Sequence, residues 1–207
     1  ELCLDYAKWL KEKDRKGRAI DILEGGLQQS GGSDRTDLRK LLVDLYEGRD
    51  QEKYVANLMK LYKDKPNKEY YRELKSAAPD EKWGWVRKWL EDKLYGYNLI
   101  DFYLREGDDQ NAFEEVMESE SLRSMQNYID DLGQYDPEKY FDAYAELISS
   151  FLAEDTGRRH YREAISHLRE LNKLDLSDRL KELVEELKRE NDNRPAFLDE
   201  ISSFTVI

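Results

Sequence analysis

The sequence predicts an all-α protein of stacked helical hairpins, and three observations lead there. Apolar residues recur at helical spacing along nearly the whole chain, while strand-like alternation is sustained nowhere. Only 11 Gly and 4 Pro occur in 207 residues, against abundant Glu, Lys, Leu, Arg and Ala, the strong helix formers. The breakers that do occur fall between apolar stripes, where the turns of hairpins belong.

The elements follow in chain order. "DYAKWLKEKDRKGRAIDIL" places an aromatic-rich helix, a charged turn at Gly17 and a second helix carrying Ala19 and Ile20. "SGGSD" at Ser30–Asp34 reads as the clearest loop. "LLVDLYEGRDQEKYVANLM" repeats the hairpin plan around Gly48, and Pro66 stops the helix that runs through "YVANLMKLYKDK". "NKEYYRELKSAAPDEKWGWVRKWL" supplies an extra hairpin, its second helix opened at Pro79-Asp80 and striped by Trp85, Val86, Trp89, Leu90 and Leu94. "LIDFYLREGDDQNAFEEVM" turns at Gly107. Asp136-Pro137 reads as an N-cap followed by proline at the first helical position. "LISSFLAEDTGRRHYREAI" turns at Gly157 into a stripe of Tyr161, Ala164, Ile165, Leu168 and Leu171. "LDLSD" then opens a helix striped by Leu180, Leu183, Val184 and Leu187.

Four of these hairpins share a plan in which an apolar pair precedes the turn: Trp9-Leu10, Leu45-Tyr46, Tyr103-Leu104 and Phe151-Leu152. The turn glycines are 31, 59 and 50 residues apart, so the repeat is irregular. The expectation is a degenerate, tetratricopeptide-like α–α superhelix, one helical-repeat domain over residues 1–207. A lone hairpin buries too little apolar surface to be stable, so stacking must make the core continuous. The abrupt start at "ELCLDYAKWL" is read as that of a fragment of a larger protein.

Composition bounds the function. The net charge is −12, and it is unevenly spread: residues 101–155 hold 16 acidic side chains against Arg105, Arg123 and Lys139, a net of −13. Such a block repels phosphate backbones and favours a protein partner with a basic surface, so direct nucleic-acid binding is not the expectation for this chain. Two short basic clusters are the exceptions. Lys11, Lys13, Arg15, Lys16 and Arg18 form one, and Arg158, Arg159 and Arg162 the other. Their structural reading is solvated helix ends; their functional reading is an accessory arm of a nucleic-acid-binding protein. The lone Cys3 excludes an internal disulfide and any multi-thiolate zinc site within the chain, and reads as a small buried hydrophobe. No run reaches the ~18 apolar residues of a membrane span and no signal peptide opens the chain, so a cytoplasmic setting is the default.

The candidate chemistry is sparse. "REGDDQNAFEEV" resembles a carboxylate loop, but alternate positions counted from Asp108 reach Ala112 and Val116, which cannot ligate calcium. Asp108 and Asp109 are better read as helix N-terminal residues. His160 and His167 are two helical turns apart, about 10.5 Å along the axis, too far to share one metal. They read as helix-surface partners of Glu163. No GxxxxGK[ST], GxGxxG or GxSxG occurs, so an enzyme would need carboxylates scattered in a helical groove. No catalytic residue, cofactor or metal is expected. Among the aromatics, Trp85 and Trp89 lie on the stripe and are assigned to the core. Trp83 and Tyr97 lie off it and are the candidates for exposed partner contacts, beside the acidic Asp108, Asp109, Glu114 and Glu115.

The segment "GRRHYREAISHLRELNKLDLSDRLKELVEELKRENDNRPAFLDEI" resembles the C-terminal helical region of prokaryotic SWIM zinc finger proteins. Tyr161, Ala164, Leu168, Leu171, Leu183, Leu187, Arg194, Pro195, Phe197 and Leu198 carry the likeness, over about a fifth of the chain. The zinc motif CxCx(n)CxH of that family does not occur here, so no metal ligand is carried over. The resemblance implies a helical scaffold or partner-docking arm downstream of a finger. The expected function is thus a non-catalytic scaffold for protein–protein interaction.

Overall fold

The computed structural model describes residues 2–29 and 31–206, and their fold is all-α, with no strand among the described residues. Within each unit most consecutive helices pack on one another, as the hairpin pattern requires. The chain falls into two compact units, residues 1–94 and 95–207.

The first unit holds α1 (Leu2–Glu12), α2 (Lys16–Gln29), α3 (Gly32–Tyr46), α4 (Gln51–Asp64), α5 (Lys68–Ala77) and α6 (Asp80–Glu91). In the α1–α2 hairpin, Ala7 and Leu10 face the core with Ala19 and Leu23. A Cβ at Gly26 would stand 2.5 Å from the Cys3 sulfur, so glycine is what lets α1 and α2 approach there. Cys3 is half-buried rather than fully buried, and its thiol donates to the Ile22 carbonyl at 3.2 Å. The turn between these helices is not at Gly17, which lies inside α2. Asp14 takes the left-handed conformation instead (φ 55°), a role its short polar side chain tolerates. The expected loop at 30–34 is shorter than foreseen, because α3 already begins at Gly32; Ser30 lies outside the described residues.

The α3–α4 hairpin turns at Gly48 (φ 67°), and Asp50 caps α4 by accepting from the Lys53 amide at 3.0 Å. Pro66 follows the end of α4 as expected, and Asn67 caps α5. α5 and α6 both lie against α4, so the anticipated α5–α6 hairpin is better described as two helices sharing one support.

The second unit holds α7 (Tyr97–Glu106), α8 (Asp109–Glu118), α9 (Leu122–Leu132), α10 (Pro137–Glu154), α11 (Arg158–Leu171), α12 (Ser177–Glu190) and α13 (Pro195–Ser202), with a 3-10 turn at Asn172–Leu174. One continuous core runs through it from Ile100 to Ile201. Gly107 ends α7 in the left-handed conformation (φ 71°), and Asp136 caps α10 ahead of Pro137. α11 lies between α10 and α13, while Arg179 of α12 pairs with Glu138 and Asp142 of α10 and covers the Phe141 ring at 4.6 Å. Residues 157–201 pack closely within this unit. Tyr161 and Phe197 meet edge-on at 5.5 Å, and Arg194 donates to the Leu152 carbonyl at 2.7 Å.

Candidate interaction surfaces

The carboxylates of "REGDDQNAFEEV" act first on their own helix. Asp108 accepts from the Asn111 amide at 3.2 Å and from its side-chain nitrogen at 2.7 Å, while Gly107 reverses the chain before it. This is an N-cap, satisfying amides that have no partner inside α8. Asp109 follows in the first turn and is exposed, where its charge suits the helix dipole. Glu114 is exposed and accepts from Gln110 at 3.1 Å. Glu115 is half-buried, and burial together with the nearby Glu118 raises its carboxyl above the usual range. Among the described residues, no group of three or more His, Cys, Asp and Glu is placed to hold a metal ion.

The histidines differ from their expected helix-surface role. His167 is buried, its Nδ1 sharing a 2.8 Å hydrogen bond with the Tyr144 hydroxyl. Burial pushes its pKa down, against the raising effect of Glu163 and Glu170. His160 stacks 4.1 Å from Phe151 and donates from Nε2 to the Phe151 carbonyl at 2.8 Å. Both rings therefore tie α11 to α10.

The aromatics also redistribute. Tyr97 is 40% exposed at the start of α7, packed 6.0 Å from Tyr128. The Tyr128 hydroxyl donates to Asp101 at 2.9 Å; burial and that carboxylate raise its pKa. Trp83, expected to be exposed, is half-buried: Lys75 Nζ sits 3.9 Å over its ring and Tyr71 meets it edge-on at 6.3 Å. Trp85, expected in the core, is 62% exposed. The buried edge of the α6 stripe is Val86 and Leu90, and Trp85 lies outside it.

Trp85 stands on a cleft of about 500 Å³ between α4 and α6, floored by Val55, Ala56, Met59 and Val86, with Glu52 and Lys82 also lining it. The Gln51 side chain donates to the Ala77 carbonyl at 2.6 Å, holding the start of α4 to the end of α5 beside this cleft. A mostly apolar concavity with an exposed indole can seat an apolar side chain from a partner and bury it from water. Its one carboxylate is Glu52. The sequence carried no separate signal for it, because Trp85 shares the helical spacing of the buried Val86 and Leu90.

The basic clusters are unequal. Lys11 pairs with Asp44, Arg158 with Asp199 and Glu200, and Arg162 with Glu200 at 3.0 Å. Lys13, Arg15, Lys16, Arg18 and Arg159 are exposed and form no ion pair among the described residues.

Charge divides with the units. The first holds 21 basic and 19 acidic residues, a net of +2; the second holds 13 and 27, a net of −14. No helix among the described residues is long and apolar enough to cross a membrane. No family model, curated protein or solved structure matches the chain.

Proposed function

We propose that this chain is a non-catalytic helical scaffold for protein–protein interaction, whose first unit seats a large apolar side chain of a partner and whose second unit offers an acidic surface to a basic one. The observation that carries the reading is the 62% exposed Trp85 beside the apolar α4–α6 cleft. Tryptophan in an apolar recess is the residue type most often responsible for binding energy at interfaces. The net charge of −14 on residues 95–207 supports a partner of opposite sign, since charge complementarity steers encounter and excludes acidic competitors. Exposed Asp109 and Glu114 belong to that acidic surface, with Tyr97 as a further aromatic contact; Asp108 and Trp83 serve their own units first. The scaffold serves within a larger protein of the SWIM zinc finger kind, in keeping with the resemblance of residues 157–201.

Selection of random peptides on the immobilised protein tests this. Two classes of enriched peptide are expected, one sharing a large apolar residue and one rich in Lys and Arg. Trp85→Ala is expected to weaken a selected peptide about thirtyfold, the fold-change for losing about 2 kcal/mol. Asp109→Lys with Glu114→Lys is expected to weaken the peptides rich in Lys and Arg. Equal binding by Trp85→Ala and wild type would overturn the proposal.

A further inference from the structure

We infer that the concave surface between the α1–α2 and α3–α4 turns is a binding site for phosphate-bearing polyanions, with Arg15, Lys16, Arg18 and Arg49 as its cationic ligands. The four side chains come from two separate hairpin turns and line one surface of about 640 Å³, with Asp14 the carboxylate among them. All four are exposed, and none forms an ion pair among the described residues. Some cations elsewhere in the same unit are paired. Lys53 meets Glu24 at 3.1 Å, Lys40 meets Asp37 at 3.2 Å, and Arg39 meets Asp64 at 3.3 Å. Four unpaired cations facing one concavity repel each other, and a bound anion relieves that repulsion.

Helix electrostatics do not explain their placement. Arg15 precedes α2, Lys16 and Arg18 sit in its first turn, and that turn has no acidic residue. The protein places Asp50, Asp108 and Asp136 at the starts of α4, α8 and α10, as helix electrostatics favour. The start of α2, like that of α11, carries basic residues instead. Arg49 is brought to the same surface by the left-handed Gly48, whose φ of 67° turns the chain from α3 towards α4. Guanidinium groups match phosphoryl oxygens in fork geometry, and three arginines with one lysine suit a run of phosphates rather than a single one. The chain's net charge of −12 argues against such a ligand only when averaged. This surface belongs to the unit of net +2, while the excess negative charge lies beyond residue 94.

Binding of the whole chain to inorganic tripolyphosphate and to a short single-stranded oligonucleotide, both at low salt, tests the site and separates its two natural sources. Competition by tripolyphosphate against the oligonucleotide identifies a compact polyphosphate ligand; oligonucleotide binding that tripolyphosphate does not displace identifies an extended phosphodiester backbone. In either case Arg15→Gln with Arg49→Gln is expected to weaken binding at least tenfold, and Arg159→Gln to leave it unchanged. With the oligonucleotide, the slope of log K against log salt is expected near −3 for four contacts and near −1.4 for the double variant, at about −0.7 per phosphate neutralised. The double variant is expected to melt no lower than wild type, so loss of binding is not loss of fold. Binding of neither anion, or unchanged binding by the double variant, would overturn the inference.

Discussion

His167 shows how far one side chain departs from what its position in the sequence implies. It lies on α11 beside Leu168 and one turn after Ala164, at the edge of the buried face, where the packing of α10 decides whether it faces water. Here α10 supplies Tyr144, and the ring is enclosed with its Nδ1 hydrogen-bonded at 2.8 Å. Because burial lowers its folded-state pKa from 6.5, the unfolded chain binds more protons just below that value. The stabilising contribution is therefore full above pH 6.5 and declines as pH falls towards the folded-state pKa. Unfolding midpoints in urea, compared between pH 7.5 and 5.5, are expected to drop more for wild type than for His167→Gln. An equal drop would show that carboxylates, not His167, govern that window. Trp83 and Trp85 make the same point without titration: they are two residues apart, and their exposures are the reverse of the stripe-based expectation. The sequence marks an apolar stripe, but which edge of it is covered depends on how neighbouring helices pack.

At the scale of elements, most of the secondary structure was legible because its signals are local. Asp136-Pro137, Pro66 and Gly107 set boundaries through φ restriction and amide capping, which need no distant residue. The four hairpins predicted from apolar pairs all form. Where local chemistry offered two answers, the sequence misled: Asp14 rather than Gly17 takes the left-handed turn, since both residue types tolerate it. The reading of Asp108 as a cap rather than a metal ligand leads to a measurable cost. Asp108→Ala is expected to destabilise the protein by about 1 kcal/mol in urea unfolding followed by circular dichroism. Asp109→Asn, which removes a charge and no cap, is expected to cost a few tenths of that.

For the whole molecule, the division at residues 94 and 95 matters most, because it separates a nearly neutral unit from one of net −14. Self-repulsion in the acidic unit is screened by salt. All four tryptophans, Trp9, Trp83, Trp85 and Trp89, lie in the first unit, so their fluorescence reports on that unit alone. Adding salt is expected to raise the thermal midpoint seen by circular dichroism more than the midpoint seen by tryptophan fluorescence. Equal shifts would show that the charge segregation has no energetic consequence. The candidate surfaces were legible only in part. The acidic block and the basic run near Arg15 are composition, visible in one dimension, whereas Arg49 joins that run only because the α3–α4 turn comes beside the α1–α2 turn. By itself the sequence determined the helical class, most helix ends and the uneven charge, all consequences of backbone preference and residue type acting over a few positions. The tertiary structure decided which edge of each amphipathic stripe is covered, which cations are paired and which aromatic faces water, because those depend on neighbours tens of residues away along the chain.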